Sequence, residues 1–485
     1  MNKLHVAVLM ALASQANAAT TYFDSFTPLT GTIAAGSLPE AEPFRLSSPN
    51  FSQVTIADRA TQNSLVPASN SGNWDMQTAN ETGPDAGRYL FTPFETNTAG
   101  VQRIDLWDAN YNTRTVTIVA PGTQSFVAGD ASRWTPWGSY LTAEESWGTG
   151  SSRGRLFEVT NPTTAGANGG NFVVRNVIPR TSHEGLAFDK SNTMYYIDEL
   201  NGGSVYKYVS NTPNATNGDD YFASGQSFVM RVGDGAAFGG TGSASWIAIT
   251  DTNGAGLAGT VSASVPVNPA NPGEGSITIV DARATADVGR NGNLGAEIAN
   301  PTTSFLGTEY NRPEDLEIQD RADGSQAIYF TTTDTHQVFS MILGTDGSTT
   351  VKLFADRNTL DMATGLAVGN TFSNPDNLAI DAEGNIYIIE DNPGGRADIW
   401  FAKDADRDGV AESVGMWATL STAGAEPTGL YFDKFNPNVA YVNVQHPDSD
   451  IDRTIQITAV PEPETYALMA AGLGILGFAA RRRKQ

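Results

Sequence analysis

The stretch PDNLAIDAEGNIYIIEDN, residues 375–392, contains two short β-rich runs joined by a turn, with acids at the start of the first run and the end of the second. Its opening phrase recurs. Close variants, each followed by another β-rich run, are HEGLAFD (183–189), PEDLEIQ (313–319) and PTGLYFD (427–433). Several continue into a third run, for example DIWFAKD at 398–404. Strand, turn, strand, turn, strand at irregular spacing is typical of β-propeller blades.

Three further segments have the same strand-rich character: 87–119, 138–159 and 245–282. We therefore expect an all-β fold, a β-propeller of about six blades, over residues 20–459. Two tandem β-sandwiches are the alternative, but no linker-like break interrupts the segment.

The composition restricts the classes of partner. The chain has 485 residues with 49 glycines, 24 prolines and only 17% charged residues, as expected of a loop-rich β protein. Its 53 acidic residues against 29 basic ones give a net charge of −24, which argues against nucleic acid as a partner. Clustered carboxylates suit hard cations such as calcium. With no cysteine, the chain has neither disulfides nor thiolate metal ligands.

Both ends of the chain have the pattern of targeting segments. Residues 1–18 combine a basic start, an apolar core and the small-residue ending Ala16-Asn17-Ala18, which predicts a secretory signal peptide. Residues 460–485 combine a Pro-Glu-Pro turn, an apolar run just long enough for a transmembrane helix, and the basic stop RRRK.

This tail resembles the PEP-CTERM sorting signal of Gram-negative bacteria. The resemblance implies export, transient membrane anchoring, removal of the tail by an exosortase, and release to the cell surface or extracellular matrix.

Aligning the repeated phrases brings acids to the same position, directly before the apolar strand. They are Glu184, Glu314 and Asp376, and the fourth equivalent is Thr428. Innermost propeller strands line the central channel, so we expect these residues to converge there. Carboxylates gathered in a partly buried funnel repel one another unless a cation neutralises them, so the pattern predicts an oxygen-ligated metal site.

The second strands end in acid pairs that add candidate ligands. The pairs are Glu144 and Glu145, Asp198 and Glu199, and Glu390 and Asp391. Arg312 precedes the Pro-Glu phrase; it either binds an anion as a bidentate fork or forms a salt bridge to Asp315 or Glu317.

A separate acidic loop, Asp404-x-Asp406-x-Asp408-Gly409, matches the first half of an EF-hand loop, although position twelve is Gly415 instead of glutamate. A second calcium loop and an ordinary surface turn both remain open.

The ordered set WGSYLTAEE, HEGLAFD, NRPEDLEI, NPDNLAIDAEGNIYIIED and EPTGLYFD with VNVQHP resembles the PhoX family of secreted alkaline phosphatases over roughly residues 130–450. The resemblance implies a six-bladed propeller that hydrolyses phosphate monoesters with calcium and iron in its channel. By this likeness the metal ligands are Glu144, Glu184, Asp198, Glu314 and Asp376. Arg312 grips the substrate phosphate, so Arg312 and Glu314 are the catalytic candidates.

One departure concerns iron. Where the family has an iron-ligating cysteine before the paired acids, this chain has Ala143. Alanine supplies no ligand, so we expect calcium and leave iron in doubt. Two alternatives stay open: a calcium-dependent lactonase or esterase, because PDNLAIDAEGNIYI is similar to gluconolactonase-like propellers, and a non-catalytic calcium-binding propeller of an extracellular polysaccharide matrix.

Overall fold

Short antiparallel strands dominate the fold. A computed structural model describes residues 21–65, 71–148, 151–235, 238–269, 271–285, 305, 307–392 and 397–461. Within these ranges the α-helices are α1 (Arg59–Leu65), α2 (Gly218–Tyr221) and α3 (Ala282–Thr285). None of the helices described is long and apolar enough to cross a membrane. The predicted signal peptide (1–18) and residues 462–485 of the predicted sorting tail lie outside the described residues.

Six four-stranded antiparallel blades form a ring. Two strands precede the first blade: β1 (Phe44–Leu46) and β2 (Phe51–Asp58). Blade 1 contains β3 (Thr78–Ala79), β4 (Tyr89–Pro93), β5 (Val101–Asp105) and β6 (Thr115–Val119). Blade 2 contains β7 (Gly129–Trp134), β8 (Tyr140–Glu144), β9 (Leu156–Val159) and β10 (Phe172–Val174).

The insertion between blades 3 and 4 carries several strands of its own. In chain order, blade 3 and this insertion contain β11 (Leu186–Phe188), β12 (Met194–Ile197), β13 (Asn201–Gly203), β14 (Val205–Ser210), β15 (Gly225–Val232), β16 (Gly242–Ala248), β17 (Ser262–Pro266), β18 (Ser276–Val280) and β19 (Tyr310–Asn311). The blade itself is β11, β12, β14 and β15, whereas β13 pairs with β19, and β17 with β18.

The last three blades follow the repeated phrases closely. Blade 4 contains β20 (Pro313–Asp320), β21 (Gln326–Thr332), β22 (Gln337–Leu343) and β23 (Thr349–Ala355), and is followed by β24 (Leu360–Asp361). Blade 5 contains β25 (Pro375–Ile380), β26 (Ile386–Glu390), β27 (Asp398–Lys403) and β28 (Ser413–Leu420). Blade 6 contains β29 (Glu426–Phe432), β30 (Val439–Gln445), β31 (Arg453–Ala459) and, as its outer strand, β2.

This architecture confirms the prediction of an all-β propeller of about six blades. One detail of the prediction is wrong, because segment 245–282 does not form a blade. Its first strand, β16, instead pairs with β15 and β23 and so joins the outer edges of blades 3 and 4. β-rich composition alone does not distinguish a blade from such an edge connection.

The ring is closed by an N-terminal strand. β2 completes blade 6 by pairing with β31 from Phe51↔Ala459 to Asp58↔Arg453. Phe51 also packs at 5.7 Å, between ring centroids, from Phe23 and at 5.5 Å from Trp417 of blade 5. These contacts satisfy the edge of β31 and seal the junction between the last two blades.

We predict that Phe51→Ala lowers the free energy of unfolding by about 3 kcal/mol, because it opens a cavity among buried aromatic rings. Val54→Ala in the same strand is the matched control, since Val54 is 52% exposed and its truncation changes stability by no more than about 0.5 kcal/mol. Urea unfolding followed by circular dichroism measures both. Equal effects of the two substitutions would contradict closure by buried packing of β2.

Candidate functional site

The innermost strands begin with an irregularity that aims side chains at the axis. In blades 2, 4 and 5 the pairing of the first two strands shifts register within the first few residues of the inner strand. One residue upstream, the backbone is left-handed at Ala128 (φ 40°), Arg312 (φ 46°) and Asn374 (φ 45°). A left-handed residue followed by a β-bulge redirects the side chains at the bulge, a device common beside active sites.

Five blades carry a carboxylate within three residues of the start of the inner strand, and the last blade carries a threonine there. These inner-ring acids are Asp75, Asp130, Glu184, Glu314 and Asp376, with Thr428 at the sixth position. Thr428 donates a hydrogen bond to Asp75 Oδ1 at 2.6 Å, so the hydroxyl that replaces the sixth acid supports a neighbouring one. The fold therefore repeats one chemical group around the axis.

A second ring comes from the first or second residue after the second strand of each blade. Its members are Glu95, Glu145, Glu199, Thr333, Asp391 and His446. The backbone holds this position in register: the amides of Glu145 and Glu199 donate to the carbonyls of Ala128 and Ser182, both at 2.9 Å. The Thr333 hydroxyl donates to Glu314 Oε1 at 2.6 Å.

The acid pairs at the ends of these strands divide their roles. The second acid of each pair, Glu145, Glu199 or Asp391, lines the central cavity. The first acid is anchored in the protein. Glu144 is fully buried and ion-paired with Arg155, and Asp198 Oδ1 accepts the Ser182 amide at 2.9 Å.

Glu390 follows the same rule, because its Oε1 accepts the Trp400 indole N–H at 2.9 Å and the Ser373 amide at 2.8 Å. Neighbouring acids thus serve different purposes, one in the blade and one in the channel.

The cavity at the axis has a volume of about 230 Å³. It is lined by Asp75, Glu95, Asp130, Glu145, Glu184, Glu199, Arg312, Asp376, Asp391, Glu426, Gln445 and His446. Two carboxylate triads here have ligand oxygens within 4.8 Å of one another: Asp130 with Glu184 and Glu199, and Glu184 with Glu314 and Asp376. Because Glu184 belongs to both triads, two cations held here would share it as a bridging ligand.

Arg312 is the cation among the residues lining this cavity. Its guanidinium bonds to Glu199 Oε1 through Nη2 at 2.8 Å and through Nε at 3.1 Å, and its Nε lies 3.1 Å from Glu314 Oε1. Neither of the salt bridges considered from sequence forms, since Glu317 pairs with Arg133 and Asp315 accepts backbone amides. The Arg312 guanidinium also lies 5.5 Å from the ring of Trp147, which is 42% exposed.

Burial raises the pKa values of the cavity carboxylates. For Glu184 burial is the main cause and the charges of Glu314 and Asp376 add to it, so its pKa lies well above the ordinary value. Burial also raises the pKa of Asp75 to about 7, against the lowering effect of the hydrogen bond from Thr428. Held together without a counter-charge, these groups resist ionisation.

The residues present fit a hard divalent cation. The ligand atoms of both triads are carboxylate oxygens, and one of them, Asp130 Oδ1, is buried without a hydrogen-bond partner among the described residues. Oxygen donors of this kind suit calcium better than metals that prefer nitrogen or sulfur.

Of the predicted metal ligands, Glu184, Glu314 and Asp376 come together in one triad. Glu144 and Asp198 lie outside the cavity lining, in the buried contacts described above. Sequence reasoning missed Asp75, Glu95, Asp130 and Glu426. The signal that could have found Asp130 is GDASRW (129–134), an inner strand in which an acid occupies the position of Glu314 in PEDLEIQ.

Ala143 is fully buried in an apolar cluster with Ala131, Leu141 and Leu156 and is not part of the cavity lining. In the acidic loop, Asp404, Asp406 and Glu412 form a third carboxylate group at 4.8 Å or less. Asp404 already accepts the amides of Asp408 and Gly409, both at 3.0 Å, so local turn hydrogen bonds account for this arrangement.

Residues 122–448 match the family model described as alkaline phosphatase PhoX. The chain belongs to the PhoX family. Residues 459–484 match the PEP-CTERM protein-sorting motif. Together these matches support an exported, surface-directed member of a phosphatase family. No curated protein sequence matches the chain.

Similarity to solved structures is weak. YCF48 bound to a D1 peptide has a TM-score of 0.33 at 9% identity, over 88% of this chain and 100% of that one. Dihydro-heme d1 dehydrogenase NirN in complex with DHE also has a TM-score of 0.33, at 10% identity, over 95% of this chain and 85% of that one. Likeness at this level says nothing about the function of this PhoX member.

Adjacent glutamates give a matched test of the divided roles. We predict that Glu144→Gln lowers the free energy of unfolding by about 3 kcal/mol, because it leaves the buried Arg155 charge unpaired, yet changes calcium affinity little. Glu145→Gln should cost no more than about 1 kcal/mol but weaken calcium binding by about tenfold or more. Urea unfolding and calorimetric titration measure the two quantities; the reverse pattern would show that Glu144 is the ligand.

The raised pKa values predict how the metal-free protein responds to pH. Below about pH 4 the cavity acids are protonated in both folded and unfolded states. Above it the unfolded chain loses these protons first, so the fold becomes less stable as the pH rises towards 7, the pKa of Asp75.

In a chelator, the melting temperature should therefore be lower at pH 8 than at pH 5, and calcium should raise it more at pH 8. Scanning calorimetry at both values checks this. A metal-free melting temperature that increases from pH 5 to pH 8 would refute the idea that the carboxylates are strained by mutual repulsion.

Proposed function

We propose that the chain is an exported, calcium-dependent phosphomonoesterase whose reaction takes place in the axial cavity. The observation that carries the proposal is the pair of carboxylate triads joined by Glu184, with the Arg312 guanidinium beside them. Membership of the PhoX family supports the same reaction class. Divalent cations, when bound, supply positive charge that offsets the phosphate oxygens and acidifies water.

The role of Arg312 follows from how it is held. Its Nε and Nη2 bond to Glu199 and Glu314, and its guanidinium carbon lies over the Trp147 ring at 5.5 Å, so these contacts orient the guanidinium at the cavity. A fixed planar fork suits a tetrahedral phosphate, because its remaining N–H groups bind phosphate oxygens without further ordering of the side chain. We propose that Arg312 orients the phosphate through Nη1.

Glu314 links the cation ligands to the substrate-binding cation. It belongs to one triad, accepts the Thr333 hydroxyl and lies beside Arg312. Replacing it would disturb both the ion and the guanidinium. Glu314 is therefore the residue on which we expect activity to depend most strongly.

The reaction predicts different signatures for the two residues. With calcium at alkaline pH, the protein should hydrolyse p-nitrophenyl phosphate, and Arg312→Ala should lower kcat/KM about 100-fold without weakening calcium binding, since it removes only a positive charge. Glu314→Gln should lower activity and calcium affinity together. Activity assays and calorimetric titration are the measurements, and Glu274→Gln, an exposed residue of the insertion, is the control.

Other outcomes select the alternatives. Stoichiometric calcium binding with no phosphatase turnover under any metal supply, iron included, would favour a non-catalytic propeller. Hydrolysis of lactones without hydrolysis of phosphate esters would favour a lactonase or esterase. Loss of calcium affinity in Arg312→Ala would refute the assigned role of Arg312.

A further inference from the structure

The chain leaves the propeller at the end opposite the carboxylate cavity. In blade 6, Glu426, Gln445 and His446 line the cavity, and they lie where β29 begins and β30 ends. β31 starts beside these residues, where Arg453 pairs with Val444. It ends at the opposite end of the blade, where Thr458 pairs with Val439. The seven residues of β31 separate the two ends by roughly 20 Å, at about 3.3 Å per residue.

The exit point is anchored firmly. The Ala459 amide donates to the Asn438 carbonyl at 3.0 Å, and the Val460 amide to the Asn50 carbonyl at 3.1 Å. The sorting motif begins at residue 459, so the tail is attached directly to the last strand of the fold. By sequence, only the five residues Pro461 to Thr465 separate the anchored Val460 from the apolar run that starts at Tyr466. The six peptide units from Val460 to Tyr466 span no more than about 20 Å when fully extended.

The surface around the exit carries exposed aromatic residues. Trp107 is 60% exposed and Phe435 is 53% exposed, and both lie in turns at this end of blades 1 and 6. Phe435 packs against the Gly87 backbone, and the guanidinium of the adjacent Arg88 lies 5.3 Å from the Trp107 ring. We call this surface, defined by Trp107, Phe435 and Val460, the exit face.

Two basic side chains at the exit face are ion-paired, although Asp85, Asp108 and Asp433 lie in the same turns. Arg88 pairs with Asp105 at 2.7 Å, and Lys434 pairs with Glu81 at 2.6 Å. Exposed aromatic rings among basic side chains are characteristic of surfaces that meet lipid headgroups.

We propose that, while the sorting tail is attached, the exit face lies against the lipid bilayer and the carboxylate cavity opens away from it. The tether, about 20 Å long, is no longer than the blade itself. If the cavity faced the bilayer, the tether would have to run fully extended along the outside of blade 6 to reach the membrane. The anchored protein therefore meets substrates that are dissolved in the surrounding medium, and lipid headgroups do not reach the cavity.

The absence of cysteine allows a direct test with single fluorescent labels. Asn436→Cys places a label in the exit-face turn between β29 and β30, and Ser449→Cys places one in the exposed turn at the cavity end of the same blade. The full-length chain, tail included, is reconstituted into vesicles of phosphatidylethanolamine and phosphatidylglycerol that contain a headgroup nitroxide. We expect the label at position 436 to lose most of its fluorescence and the label at position 449 to keep it.

Variants separate the exit face from the tether. Trp107→Ala combined with Phe435→Ala should reduce the quenching at position 436, whereas Phe238→Ala, at a 46% exposed residue after β15 at the cavity end of blade 3, should not. Equal or stronger quenching at position 449, failure of the full-length chain to associate with vesicles, or quenching at 436 that the double variant leaves unchanged would each overturn the proposal. Activity plays no part in this readout.

Discussion

Mutual repulsion of buried carboxylates is the constraint on which the rest of the structure depends. Five of the six blades deliver an acid to the inner ring, and several second-ring positions add another. Burial and neighbouring charge raise the pKa values of these groups, so the cavity is unfavourable for the ionised protein on its own. Such a cavity either keeps its acids protonated or binds a compensating cation, and in the second case binding free energy becomes folding free energy.

The propeller meets this constraint with repeated local devices. A left-handed residue and a bulge start several inner strands, and the residue at the bulge is directed to the axis. The second strand ends in a residue that is fixed within the blade, as Glu144 is by Arg155, and the next residue lines the cavity. An ion pair at Glu144 and hydrogen bonds at Asp198 and Glu390 thus fix the strand ends that carry the cavity acids.

Much of the fold and part of the site could be predicted from sequence. The repeated phrase identified blades 3 to 6 and gave Glu184, Glu314 and Asp376, because a shared register places equivalent residues at one end of the inner strands. It missed Asp75 and Asp130, since WDMQTAN and GDASRW lack the acid-x-Leu spacing of the phrase. It could not anticipate that β2 completes blade 6, because that pairing joins residues about 400 positions apart.

The sequence also does not show which acid of an adjacent pair faces the channel. In the pairs at 144–145 and 198–199, strand periodicity shows that the two side chains face different ways but not which one faces the axis. The contacts within the blade determine which acid is which: Arg155 binds Glu144, and the Ser182 amide binds Asp198, so the first acid of each pair stays in the blade. These contacts are between residues distant in sequence or set by backbone geometry, so composition and spacing do not reveal them.

The shared ligand offers the most direct test of the central claim. Glu184 belongs to both triads, so the metal-free protein should bind at least two calcium ions per chain in a calorimetric titration, and Glu184→Gln should weaken both binding events together. Binding of two ions that Glu184→Gln leaves intact, or no calcium binding by the wild-type chain, would contradict a cation centre built on the carboxylate rings.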